Sequence, residues 1–87
     1  MRDDDLTLFD RGVRRDVALE VVARREDGSS HEVAITDISR DGCQLRTRTE
    51  FEVGETIVIE HDVLGKLKAQ IRWVFGERAG LKFTQRL

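Results

Sequence analysis

The stretch that decides the fold is Leu67-Lys68-Ala69-Gln70-Ile71-Arg72-Trp73-Val74-Phe75. Leu67, Ala69, Ile71, Trp73 and Phe75 share odd positions, and Lys66, Lys68, Gln70 and Arg72 share even ones. A helical period cannot produce that alternation, whereas a β-strand with one wet face produces it directly. After Gly76-Glu77-Arg78, a turn signal, Ala79, Leu81 and Phe83 alternate with Lys82 and Thr84. The pair predicts a hairpin at the end of the chain.

The same period of two extends backwards. Val17, Leu19 and Val21 alternate ahead of Asp27-Gly28, a tight-turn signal, and Val33 and Ile35 follow it. Cys43 and Leu45 alternate with Gln44 and Arg46, and Ile57 and Ile59 follow Gly54. Six short strands with no long helical period predict an all-β fold. A six-stranded antiparallel β-barrel, with little or no C-terminal helix, hides the sheet edges best. Its expected core is Val17, Leu19, Val21, Val33, Ile35, Leu45, Ile57, Ile59, Leu67, Ile71, Trp73, Leu81 and Phe83. Residues 1–15 lack the alternation and are rich in charge, so they are expected to form a flexible or short-helical arm ahead of a barrel spanning 16–87.

Eighty-seven residues suit one small domain. The formal net charge is -2, which gives no overall field to attract DNA, RNA or an anionic membrane, and none of these is expected as a partner. A single cysteine makes no internal disulfide, and no apolar run approaches the roughly 20 residues of a membrane helix. The acidic Met1-Arg2-Asp3-Asp4-Asp5 is unlike a signal peptide, so the expected setting is cytoplasmic.

Catalysis has little support. His31 and His61 fall on different expected strands and lack the close ligand company of a metal site. Cys43 shares the parity of Leu45 and reads as a small buried filler. No phosphate-loop glycine pattern opens a helix. The expectation is a non-enzyme without metal or cofactor. Two clusters point instead to binding. Arg11, Arg14 and Arg15 lie just ahead of the first strand, and guanidinium groups can fork onto phosphate or onto the O6/N7 edge of guanine. Asp37-Ile38-Ser39-Arg40-Asp41-Gly42 is a compact turn whose carboxylate can accept N–H donors and whose serine can both donate and accept. Gly42 is expected to allow an unusual backbone angle or a close ligand approach. Taken alone, each cluster also has an ordinary reading. The arginines can pair with Asp10 and Asp16, and the turn can be a simple Asx turn.

Together the clusters resemble the PilZ domain, a bacterial receptor module for cyclic di-GMP. The family carries an R-x-x-x-R stretch before the first strand, here Arg11-Gly12-Val13-Arg14-Arg15, and a [D/N]-x-S-x-x-G turn, here Asp37 to Gly42. Ile71-Arg72-Trp73-Val74 and Ala79-Gly80-Leu81-Lys82-Phe83 resemble its closing hairpin, and the likeness spans residues 9 to 84. The resemblance implies a cyclic di-GMP receptor with Arg11, Arg15, Asp37, Ser39 and Gly42 at the ligand and Arg14 as an added cation. It implies an arm that orders on binding and signals to an effector protein. The alternative is a degenerate, adaptor-like member that works through protein contacts alone. Many members carry a further arginine where this chain has Asp10, a carboxylate that would compete with phosphate. The family's C-terminal helix is missing, so a homodimer, the arm or a partner is expected to cover that barrel end.

Overall fold

The computed structural model describes residues 15–86, with side chains from Leu19 onward. Six strands follow one another: β1 Arg15–Arg25, β2 Ser30–Ile38, β3 Gly42–Arg46, β4 Thr56–His61, β5 Gly65–Phe75 and β6 Arg78–Arg86. They close into an all-antiparallel barrel in the order β1-β2-β3-β6-β5-β4, and no helix occurs among the described residues. The barrel is thus two three-stranded meanders, β1-β2-β3 and β4-β5-β6. They are joined along β3–β6 (Gly42↔Lys82 to Arg46↔Arg78) and along β1–β4 (Val22↔Glu60 to Arg25↔Ile57).

Turn chemistry sets the hairpins. Gly28 takes φ 91° in the β1–β2 loop, where Arg25 and Ser29 close a three-residue connection. Gly76 takes φ 59° at the first position of the two-residue β5–β6 turn, the place where a tight hairpin needs a left-handed residue.

The core is the inward face of all six strands. Ile35, Ile38, Leu45, Ile57, Ile59 and Ile71 are its largest fully buried side chains. Val21, Val33, Leu67 and Leu81 are buried as the alternation predicts, and Leu19 and Phe83 pack against them half-buried. Val17 lies among residues whose side chains are not described.

Trp73 departs from the expected core and is 39% exposed. The β5–β6 register shifts between Ile71 and Trp73, so one extra residue, Arg72, reverses the parity of everything after it. Ile71 points in and Trp73 points out. A second irregularity, between Ile35 and Asp37 on β2, has the opposite benefit, carrying Ile38 into the core and leaving Asp37 opposite the outward Gln44.

Phe51 was not anticipated as core, yet it is 4% exposed. It lies in the segment between β3 and β4, outside any alternating run. Arg25 lies over its ring at 4.9 Å and His31 meets it edge-on at 6.2 Å. Arg25 also forks onto Glu55, with Nε to Oε2 at 2.5 Å and Nη2 to Oε1 at 2.9 Å. This group closes the barrel end near the β5–β6 turn from within the chain.

Candidate functional site

Backbone pairing brings Arg15, the last of the arginine stretch, beside the start of a turn that opens 22 positions later at Asp37. Arg15 opens β1 opposite Ile38, and Asp16 stands opposite Asp37. The end of the arginine stretch and the start of the Asp37–Gly42 turn are therefore cross-strand neighbours, about 5 Å apart between strands. Arg11 and Arg14 lie outside the described residues, and Arg15 enters through its backbone position alone.

The turn itself is tightly built. The Ser39 N–H donates to the Gly42 carbonyl at 2.9 Å, and the Ser39 hydroxyl donates to the same oxygen at 3.4 Å. Ser39 is 5% exposed, so its hydroxyl holds the turn together. Arg40 and Asp41 stand exposed at the tip, and the Asp41 carbonyl accepts the Phe83 N–H at 2.8 Å, tying the turn to β6.

Gly42 is required for a reason other than the expected one. Its φ is not positive, and it is buried. A Cβ at this position would overlap the backbone carbonyl of Leu81 on β6. The glycine admits a neighbouring strand rather than an unusual angle.

From Asp37 a single cross-strand row runs over the outside of the barrel. Asp37 pairs with Gln44, Gln44 with Gly80, and Gly80 with Trp73. The Trp73 indole lies on Gly80, where a Cβ would overlap Nε1 and Cε2. Trp73 was missed as a surface residue because its parity is that of Ile71. The Gly80 opposite it was the available signal, since a glycine inside a strand marks a bulge or a close approach.

Charge is sorted around the barrel. β3 carries Arg46, β5 carries Lys66, Lys68 and Arg72, β6 carries Arg78, Lys82 and Arg86, and these three adjacent strands hold no Asp or Glu. None of those cations is within ion-pair distance of a described carboxylate; the described ion pairs are Arg24–Glu60, Arg25–Glu55 and Arg48–Glu77. Glu20, Glu32, Glu60 and Asp37 stand on β1, β2 and β4. A chain of net charge -2 thus presents one strongly basic side.

The histidines have structural partners. The His31 Nε2 contacts the Ser29 hydroxyl at 3.1 Å, and His61 Nδ1 accepts the N–H groups of Val63 and Leu64 at 3.1 and 3.2 Å. Cys43 is buried, as its parity predicts. At Glu55, burial pushes the carboxyl up, but the hydrogen bonds from Arg25 and from the Glu52 N–H outweigh it and hold the group below its ordinary range. The Glu55 hydrogen bond in turn raises Arg25.

The profile of the PilZ domain family matches residues 8–87. The chain belongs to the PilZ domain family. PilZ domains are non-catalytic receptor domains. No curated protein matches the chain significantly. No described helix is long and apolar enough to cross a membrane. The matched span, residues 8–87, takes in both the arginine stretch and the Asp37–Gly42 turn.

Proposed function

We propose that this PilZ domain is a cytoplasmic receptor for cyclic di-GMP, the ligand class of its family. In this reading Arg11, Arg14 and Arg15 grip phosphate and guanine edges, and Asp37 accepts from a guanine. Ser39 and Gly42 set the turn against which the nucleotide rests. Residues 1–15 act as an arm that orders over the barrel surface and presents a new face to an effector protein.

The observation that carries the reading is the register Arg15↔Ile38 and Asp16↔Asp37. It sets the last arginine of the stretch beside the start of the turn, which supports reading the two motifs as one locus for a two-sided anion such as a cyclic dinucleotide. A compact ligand with two phosphates and two guanines matches a cluster that offers several guanidinium groups and one carboxylate.

Calorimetry with cyclic di-GMP tests this. Binding should be saturable, and Arg15→Ala should weaken it by about tenfold or more, since a charge-assisted hydrogen bond contributes roughly 1.5–3 kcal/mol. Absence of heat and of chemical-shift change at millimolar ligand would replace the receptor by the adaptor reading, in which the domain acts through protein contacts or as a homodimer.

A further inference from the structure

We propose that the β5–β6 side of the barrel binds single-stranded nucleic acid. Net charge averages over the chain, but a polyanion meets one side at a time, and the β3-β6-β5 side carries no carboxylate on its strands, with Glu60 opposite Lys66 at one edge and Glu77 in the hairpin turn as its flanking acids. Along the β5–β6 hairpin the outward positions run Lys66, Lys68, Lys82, Trp73, Arg78 and Phe75, ordered by the pairs Gln70↔Lys82, Trp73↔Gly80 and Phe75↔Arg78. From Lys66 to Phe75 this stripe is about 30 Å long at roughly 3.3 Å per residue.

Two aromatics interrupt the cations. Trp73 is 39% and Phe75 80% exposed, and the shifted register puts both on the outer face, two residues apart. Their separation along the strand is about 7 Å. A cationic groove or ridge with successive aromatic platforms is the composition that holds single strands, since every base has a π-face and every nucleotide a phosphate. The stripe's length fits the short end of the roughly 4–16 nucleotides that one small barrel engages.

A folded protein partner is less well matched. Protein interfaces concentrate their energy where an anchor side chain fills a desolvated pocket. The described concavities hold carboxylates, Glu20, Glu32 and Glu77 beside Arg46 and Arg48 in one and Glu20, Glu32, Glu60 and Asp62 in the other, and neither is lined by Trp73 or Phe75. The hairpin stripe, with Trp73 and Phe75 exposed outside both concavities, suits a flexible polymer that follows it through backbone charge and stacking.

Fluorescence anisotropy of the full chain with a labelled ten-nucleotide uridine strand tests the proposal. Saturable binding in low salt is expected, with log K falling against log salt at a slope of about -2 to -3 for three or four neutralised phosphates. Lys68→Glu with Lys82→Glu should weaken binding by more than tenfold. Phe75→Ala, at a position too exposed to threaten folding, should weaken it by roughly fivefold or more. No binding at 100-fold excess protein in low salt overturns the proposal, as does equal affinity of the Lys68→Glu/Lys82→Glu protein. Tighter binding to a ten-base-pair duplex, to anionic vesicles or to polyglutamate also overturns it, because each shows charge capture without base stacking. Cyclic di-GMP binding is read separately by calorimetry on the same variants, so failure of either reading leaves the other standing.

Discussion

The pyrrole edge of Trp73 occupies the space that a side chain at position 80 would need. The indole therefore rests on bare β6 backbone, on the outside of the barrel, and Gly80 is buried beneath it. Gly80→Ala must displace the ring. Overpacking of this kind costs about 1–3 kcal/mol. Urea denaturation should show that loss, and the emission of this single tryptophan should shift to the red as the indole lifts into water.

Gly42→Ala meets a harder obstacle. The overlapped atom is the Leu81 carbonyl oxygen, part of the β3–β6 ladder, and backbone cannot swing aside as a ring can. The cost should reach the upper part of the roughly 1–3 kcal/mol range for overpacking or exceed it. Thermal unfolding checks this, and amide exchange should locate the damage at Ser39 to Cys43 and at Leu81 to Phe83.

Glu55→Gln tests the far end of the barrel. It removes a charged, forked pair with Arg25, at a carboxylate whose side chain is only 16% exposed. Hydrogen bonds to charged groups contribute about 1.5–3 kcal/mol, and the variant should lose an amount in that range at neutral pH. The folded carboxyl titrates below its ordinary 4.5, so its stabilisation is complete above that pH and is lost as the pH falls through the lowered folded value. The gap between wild type and variant should close in that acidic window.

Phe51→Ala should be the most damaging single change in the segment between β3 and β4. It empties a buried site and strips Arg25 and His31 of the ring they contact. Truncating a buried phenylalanine costs about 3–5 kcal/mol. In a barrel this small that should leave the chain largely unfolded at 37 °C, as near- and far-ultraviolet circular dichroism would report.

Asp37→Ala tests the proposed contact between this carboxylate and the nucleotide. The side chain stands half-buried on the outer row beside Gln44, away from the core. Cyclic di-GMP affinity should fall by about tenfold or more, as for loss of a charged hydrogen bond. A circular dichroism spectrum of the variant, taken alongside, separates a lost contact from a loss of fold.

The barrel was legible because most of its strands keep strict alternation between one wet and one dry face. Val33, Ile35, Ile57, Ile59, Leu67 and Ile71 needed nothing more. The misreadings cluster where one residue is inserted into a ladder. Trp73 and Ile38 each sit just past such an insertion, and parity carries no record of it. Phe51 was illegible for a different reason: it reaches the core from a connection, where neither period applies. At the site, residue types marked the turn correctly, but only coordinates reveal that Ser39 and Gly42 hold the turn and the adjoining strand. Ser39 bonds within its own loop, and Gly42 makes room for a strand nearly forty residues later in the chain.

The two-meander topology bears on how the chain assembles. Every hairpin inside β1-β2-β3 and β4-β5-β6 joins strands adjacent in sequence, whereas the two seams pair residues about thirty-five apart. Loop-closure entropy makes such non-local pairings the later, slower events, so each meander should form first and the seams should zip afterwards. The segment from Thr47 to Glu55 is the one covalent link between the halves. It decides whether a meander closes on its own partner or on that of a neighbouring chain. Tightening it by a few residues would favour an exchanged pair with the same two seams over a barrel closed within one chain.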